Sequence, residues 1–219
     1  MRRLGSAFSL LLGAWRSRPL SRNLLWVFAV VLGISGIGLL VYPPITNWIS
    51  AREQSRLERE FRSPQFRSRT STSEIAPGQV VVRLVIPTIS VDALVVEGTD
   101  PRSLRAGAGR YTSTSLPCQP GNVGIAGHRN IYGSPFLRLD ELKEGDEIKL
   151  VTPDRTCTYQ VVTGPSEKRR PKIGAAGWIT GPNDNSPIAQ LKDPLLTLTT
   201  CHPKNRASSR LIIRAKLIA

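Results

Sequence analysis

The stretch "LLTLTTCHPKNRASSRLIIRAKL", residues 195–217, decides the fold. Its two ends are apolar runs rich in Leu, Ile and Thr, and the middle is short and polar. That pattern predicts two β-strands joined by a tight connection. Cys201 closes the first run, His202 follows it, and Arg210 opens the second. Upstream, "VVVRLVIP" (80–87) and "VDALVVE" (91–97) are β-branched runs, the first ended by Pro87. "GNVGIAGHR" (121–129) is a short apolar strand that leaves into a polar loop, while "DEIKLVT" and "CTYQVVT" flank "PDR" as a hairpin would. Helix candidates in this part are confined to the segments around Leu104 and "PFLRLDEL", both short. Seven or eight strands at this spacing predict an all-β domain, a closed or nearly closed barrel rather than a parallel sheet.

The N-terminal third has a different character. Residues 24–42, "LLWVFAVVLGISGIGLLVY", contain no charge and nothing more polar than Ser35 and Tyr42. As a helix the run reaches roughly 28 Å, enough to cross a hydrocarbon core. It has no polar face, unlike a soluble core helix. It is also too long for a cleaved signal, and "PPITNWIS" after it offers no A-x-A-like cleavage site. Arg2, Arg3, Arg16, Arg18 and Arg22 precede it without an acid, whereas the far side mixes arginines with Glu53, Glu58 and Glu60. The positive-inside bias therefore predicts a cytoplasmic N-terminus and an extracellular C-terminal domain. The expected layout is a basic cytoplasmic segment at 1–23, a transmembrane helix at 24–42, a juxtamembrane helix and flexible linker at 43–78, and a catalytic domain at 79–219.

The formal charge of +14 and the pI of 10.7 raise the possibility of nucleic-acid binding. The distribution argues against it, because residues 1–75 carry 11 Arg and 4 acids, half of the net charge. The basic runs lack interleaved aromatics and lie beside a membrane segment, so no nucleic-acid partner is expected.

The chain has two histidines, His128 and His202, and three cysteines, Cys118, Cys157 and Cys201. His202 is a poor base for Cys201, since adjacent strand residues face opposite ways. With no C-x-x-C and two histidines, a zinc site is not supported. His128, at the end of another strand, is free to meet Cys201 across the sheet, as a thiolate nucleophile and an acid for the leaving amine require. Arg210 starts the next strand and can fold back beside Cys201 to stabilise an oxyanion or hold a substrate carbonyl. Spacing alone leaves the plain alternatives open: a buried strand cysteine, a loop histidine and a solvated arginine.

Four motifs narrow them. "LVIPTISVDALVVEG" (84–98), "GNVGIAGHRNIYGSPF" (121–136), "TLTTCHP" (197–203) and "RLIIRAKL" (210–217) together resemble the sortases, membrane-anchored cysteine transpeptidases of the Gram-positive surface. The resemblance implies an eight-stranded barrel with short helices, in which His128, Cys201 and Arg210 converge at one end. Arg214 shares the face of Arg210 by period two and is the fallback; Arg206 lies nearby. "CHPKNRASSRLIIRAKL" and "GHRNIYGSPF" look most like class E, with class D second.

By that resemblance the substrate is a secreted protein bearing an LPxTG- or LAxTG-like signal, cut between Thr and Gly. Cys201 forms a thioacyl enzyme that a peptidoglycan-precursor amine resolves. No cofactor or metal is implied, because no carboxylate cluster stands out for the calcium some class A members use. The alternatives are a non-catalytic extracellular adhesion or assembly domain on the same fold, and a pilus-polymerising sortase. The 31-residue connection 164–194, leading into the Cys201 strand, matches the place of the substrate-groove loop. With Cys201 reserved as a free thiol, Cys118 and Cys157 remain as a possible disulfide at the opposite end of the barrel, two independent buried thiols being the alternative.

Overall fold

The computed structural model describes residues 19–68, 75–164 and 176–219. They divide into two compact units, with the boundary in the sequence between Pro44 and Ile45. Helix α1, Pro19–Phe61, contributes to both and carries Pro43 and Pro44 within it. In the first unit the side chains from Leu24 to Val41 are almost all exposed, including Leu24, Trp26, Phe28, Leu39 and Leu40. One helix among the described residues is long and apolar enough to cross a membrane, and it is this one.

The second unit is a barrel. Its strands are β1 (Val80–Ile86), β2 (Val91–Glu97), β3 (Ala108–Arg110), β4 (Asn122–Gly127), β5 (Glu147–Val151), β6 (Thr156–Val162), β7 (Trp178–Thr180), β8 (Leu195–His202) and β9 (Ser209–Leu217). Hydrogen bonding runs β6-β5-β1-β2-β3-β4-β8-β9, and β9 pairs back onto β6. Eight strands thus close the ring. β7 pairs with the N-terminal half of β9, where Trp178 faces Ile212 and Thr180 faces Arg210. β6 takes the C-terminal half of the same edge, from Val162 opposite Arg214 to Tyr159 opposite Leu217.

Local chemistry explains the turns. Pro87 cannot donate to a ladder and starts a 3₁₀ turn over Pro87–Ile89, after which Ser90 adopts a left-handed conformation (φ 57°) that reverses the chain into β2. The hairpin between β5 and β6 closes where Thr152 N donates to Arg155 O and the Thr152 hydroxyl to Asp154. Inside the ring, alternate apolar residues such as Leu84, Ile86, Val95, Ile125, Leu150, Leu198 and Ile213 are fully buried. Burying each such side chain contributes about 1.5–3 kcal/mol.

Three features differ from the sequence reading. β3 and β7, three residues each, are too short to leave a periodic signal. The 164–194 connection is not irregular throughout, since β7 and a 3₁₀ turn over Ser186–Ile188 lie within it; residues 165–175 are outside the described residues. The juxtamembrane helix and flexible linker expected over 43–78 are largely part of the barrel unit, the helix running to Phe61 and only 69–74 lying outside the described residues. Leu57 of α1 and Phe66 of α2 (Pro64–Arg67) are buried in a second apolar cluster with Val80, Leu94, Val96 and Ala106. Gln54 bonds both the N–H and the carbonyl of Leu94, at 2.8 and 2.9 Å, and its amide also donates to Ala106 O. Packing that is invisible in a polar stretch such as "AREQSRLERE" therefore extends the compact unit back to Ile45.

Candidate active site

The site is built by β8, the strand between β4 and β9. β8 and β9 are antiparallel, with Cys201 opposite Arg210 and His202 opposite Ser209. β4 and β8 are parallel, with Ile125 beside Leu198 and Ala126 beside Thr199. Continued two residues past its last pair, that register would set His128, just beyond the end of β4, level with Cys201. Parallel β4 and β8 end together, and antiparallel β9 begins there, so His128, Cys201 and Arg210 share one end of the barrel. The bond from the Thr200 hydroxyl to Gly127 O, at 2.7 Å, ties the two strand ends just before those residues diverge.

Cys201 is the free cysteine among the described residues and is half-buried. His128 is also half-buried, and burial pushes its imidazole below the ordinary value of 6.5. Its backbone is fixed on both sides: His128 N donates to Gly107 O at 3.2 Å, and Phe136 N donates to His128 O at 3.1 Å. The Tyr132 ring stands 5.2 Å from the imidazole at an interplanar angle of 35°. Tyr132, Gly133 and Ser134 all have positive φ, a sharp reversal that returns the chain to Phe136 beneath the histidine. α1 supports this loop, with Asn47 accepting from Gly133 N at 2.9 Å and Ser50 donating to Ala106 O at 3.2 Å.

Arg210 is half-buried, and its Nη1 donates to Ala207 and Ser209 carbonyls at 3.2 Å. Arg214, the fallback, is four residues further along β9, roughly 13 Å away along the strand. Its guanidinium is committed elsewhere, bonded to Pro187 O at 2.6 Å and lying over the Trp178 ring at 5.3 Å. Arg206 is exposed in the β8–β9 connection. The register thus sets Arg210 opposite Cys201, His128 follows the end of the strand parallel to β8, and Arg214 lies four residues further along β9.

Cys118 and Cys157 form a disulfide with a Cα separation of 5.7 Å. Cys118 precedes the start of β4, whereas His128 follows its end, so the bridge lies at the other end of the barrel.

Two groups escaped the sequence reading. The Tyr111 hydroxyl lies 2.9 Å from Thr199 Oγ1, joining the chain after β3 to the residue two before Cys201. Arg129, directly after His128, is 1% exposed. Its Nη1 donates to Cys201 O at 3.2 Å and meets His202 Nδ1 at 3.0 Å, and its Nη2 is 2.9 Å from Asp140 Oδ1. No local signal marks it, because Arg129 lies past the end of β4 and its partners are remote in sequence.

A thiol, an imidazole and a guanidinium at one end of a closed barrel are the groups that a cysteine acyl-transfer site requires. The comparisons with known proteins agree on the family. The sortase domain model matches residues 84–218, and the chain belongs to the sortase family. It is 30% identical over 163 residues to sortase SrtE1 of Streptomyces coelicolor, covering 68% of this chain and 43% of that protein. It is 32% identical over 145 residues to sortase D of Bacillus subtilis, covering 64% of this chain and 65% of the other. The chain thus spans less than two thirds of the length of these two relatives. Among solved structures, sortase E from Streptomyces avermitilis superposes with a TM-score of 0.54 at 32% identity, covering 66% of this chain and 91% of that one. A Clostridium perfringens sortase D5 transpeptidase gives 0.63 at 26% identity, covering 78% and 99%.

Proposed function

We propose that the chain is a membrane-anchored cysteine transpeptidase that cuts an LPxTG- or LAxTG-like sorting signal between Thr and Gly and passes the acyl group to a cell-wall amine. The observation that carries this reading is the pairing of Cys201 with Arg210 across β8 and β9, with His128 one residue past the end of β4, the strand parallel to β8.

In the productive form Cys201 is a thiolate and His128 an imidazolium. The thiolate attacks the threonine carbonyl carbon and forms a C–S bond. Arg210 stabilises the oxygen that gains charge. As the C–N bond to glycine breaks, His128 gives its proton to the leaving amine. The acceptor amine then attacks the thioester carbon, its proton goes to the neutral imidazole, and the C–S bond breaks to restore the thiolate. The thioester conserves the acyl energy, so a bound amine can capture it ahead of water.

The apolar run of α1 would anchor the enzyme, and the arginines before it favour a cytoplasmic N-terminus with the barrel outside. Secreted proteins bearing the sorting signal and a peptidoglycan-precursor amine are the corresponding partners. Between classes, similarity to the Streptomyces coelicolor and Streptomyces avermitilis proteins supports class E, with class D as the second reading.

The test is mass spectrometry of the full chain incubated with LPxTG and LAxTG peptides. A thioacyl adduct on Cys201 is expected, and the peptide that yields it identifies the specificity. Intact protein without an adduct from either peptide would favour a non-catalytic assembly domain.

A further inference from the structure

The buried side chain least accounted for by this chemistry is Arg129. A guanidinium at 1% exposure is costly unless its charge and its N–H groups are matched. Asp140 matches the charge from a 3₁₀ turn over Leu139–Glu141, with Nη2 at 2.9 Å from Oδ1, and Lys204 Nζ stands 3.7 Å from the same oxygen. Nη1 is directed instead at the Cys201 strand end, reaching both the Cys201 carbonyl and the His202 ring. Among the described residues Nε has no hydrogen-bond partner. The side chain is therefore placed for β8 at the expense of its own full satisfaction.

We propose that Arg129 is a positioning residue: its guanidinium clamps the Cys201 carbonyl and the His202 imidazole, setting the Cys201 side chain against His128 and holding His202 in its neutral Nε2–H tautomer. The chemistry of the contact fixes the second part. A guanidinium has five donors and no acceptor, so the His202 Nδ1 that meets it must carry a lone pair. Protonating that nitrogen would point an N–H at an N–H and set two cations 3.0 Å apart. His202 is thereby kept from acting as a competing acid beside the nucleophile, and His128 is left as the one imidazole able to serve it. The first part follows from adjacency. His128 and Arg129 are consecutive just past the end of β4, so one backbone step carries both the acid and the clamp on the nucleophile's strand. Any shift of β4 relative to β8 moves both together.

This inference rests on the transpeptidase reading for its kinetic arm and on geometry alone for its spectroscopic arm. The full chain in detergent, ¹⁵N-labelled at its histidines, is compared with Arg129→Lys and with the double variant Arg129→Gln/Asp140→Asn. The lysine keeps the charge for Asp140 but cannot reach three groups at once, and the double variant leaves no buried unpaired charge if the first fails to fold, Lys204 being exposed. His202 is resolved from His128 with His128→Gln.

Expected for the unsubstituted protein is a His202 spectrum with Nδ1 as acceptor and Nε2 protonated through neutral pH. In both variants His202 should titrate as an ordinary imidazole, and single-turnover acylation of Cys201 should slow about 10- to 100-fold with KM little changed, the scale of a small misplacement of reacting groups. A purely structural arginine would instead be rescued by lysine. Wild-type acylation rates in the folded variants, or a protonated Nδ1 on His202 in the unsubstituted protein, would overturn the proposal. Should the unsubstituted chain acylate with no peptide, the transpeptidase reading fails, while the tautomer measurement and the rate of Cys201 alkylation by iodoacetamide still decide the role of Arg129.

Discussion

The hydroxyl of Thr200 donates to the carbonyl oxygen of Gly127 at 2.7 Å, so the residue before the candidate nucleophile is bonded to the residue before the candidate acid. The bond is buried and crosses between β4 and β8, the two strands whose relative position sets the site. Thr200→Val keeps shape and strand preference but removes the donor. It should lower stability by about 1–3 kcal/mol, because a buried carbonyl loses its partner. Acylation of Cys201 should slow as well. Thermal unfolding and single-turnover adduct formation, measured on the same preparation, check both effects; a stability loss without a rate change would mean that β4 and β8 are held in register by the ladder alone.

Gly127 is constrained from its other side. A Cβ built there would stand 2.5 to 2.9 Å from three atoms of the Phe136 ring. Phe136 is fully buried, and its backbone N–H holds the His128 carbonyl, so the ring cannot yield without moving the histidine. Gly127→Ala should destabilise by about 1–3 kcal/mol, the usual cost of overpacking. It should also depress activity more than Thr200→Val, since it displaces the imidazole directly. Chemical denaturation together with peptide cleavage assays gives the ranking.

How much of this was legible beforehand follows the range of the interactions. β8 and β9 were readable because a long alternating run is a local signal, and the motifs "AGHR", "TLTTC" and "SSRLII" supplied the candidates His128, Cys201 and Arg210. Arg129 was not, because its partners are 11 to 73 positions away and nothing local marks an inward guanidinium. The packing of Gln54 and Leu57 was hidden for the same reason: one amide and one leucine in a charged helix look solvated until β2 supplies the surface they cover. β7 was lost to its length.

Burial holds the His128 imidazole below 6.5, which fixes the direction of two pH effects. In kinetics, the productive thiolate–imidazolium form belongs to the pair, so the rate profile should be bell-shaped, with its acid limb below 6.5. In stability, the unfolded chain takes up the proton at the ordinary value and the folded chain only at lower pH. The folded state is therefore weakened as pH falls through that interval, and this contribution is constant above it. A profile flat from pH 5 to 10 would remove His128 from the role of acid. Replacing it with Gln should abolish the acid limb of stability loss along with turnover.

Arg210 and Arg214 are separable by their surroundings. Arg210 sits opposite Cys201 and bonds only nearby loop carbonyls, whereas Arg214 is packed over Trp178 and bonded to Pro187. Arg210→Ala should cut turnover by about 10²- to 10³-fold, the scale of losing an oxyanion donor. Its melting temperature should barely move. Arg214→Ala should do the reverse, leaving Pro187 O with Asn122 Nδ2 as its remaining donor and Trp178 without its cation. If Arg214→Ala were the inactive variant and Arg210→Ala the unstable one, the assignment within β9 would have to be exchanged.

The disulfide gives the last contrast, between the two ends of the barrel. Cys118 and Cys157 are 39 positions apart and close a loop that contains β4, His128 and β5. In the chain-entropy view, a loop of that size restricts the unfolded chain by about 4 kcal/mol. Cys157 also packs within the main core, so Cys157→Ala adds a lost contact to the lost link. The site lies beyond the far end of β4 and shares no residue with the bridge. Cys118→Ser should therefore lower the melting temperature by several degrees while the acylation rate, measured well below the transition, stays near that of the unsubstituted protein. Thiol counting on the denatured, unreduced chain should find one reactive cysteine, Cys201. Three would mean that the two strands are held by packing alone, and then Cys118→Ser should leave the unfolding curve where it was.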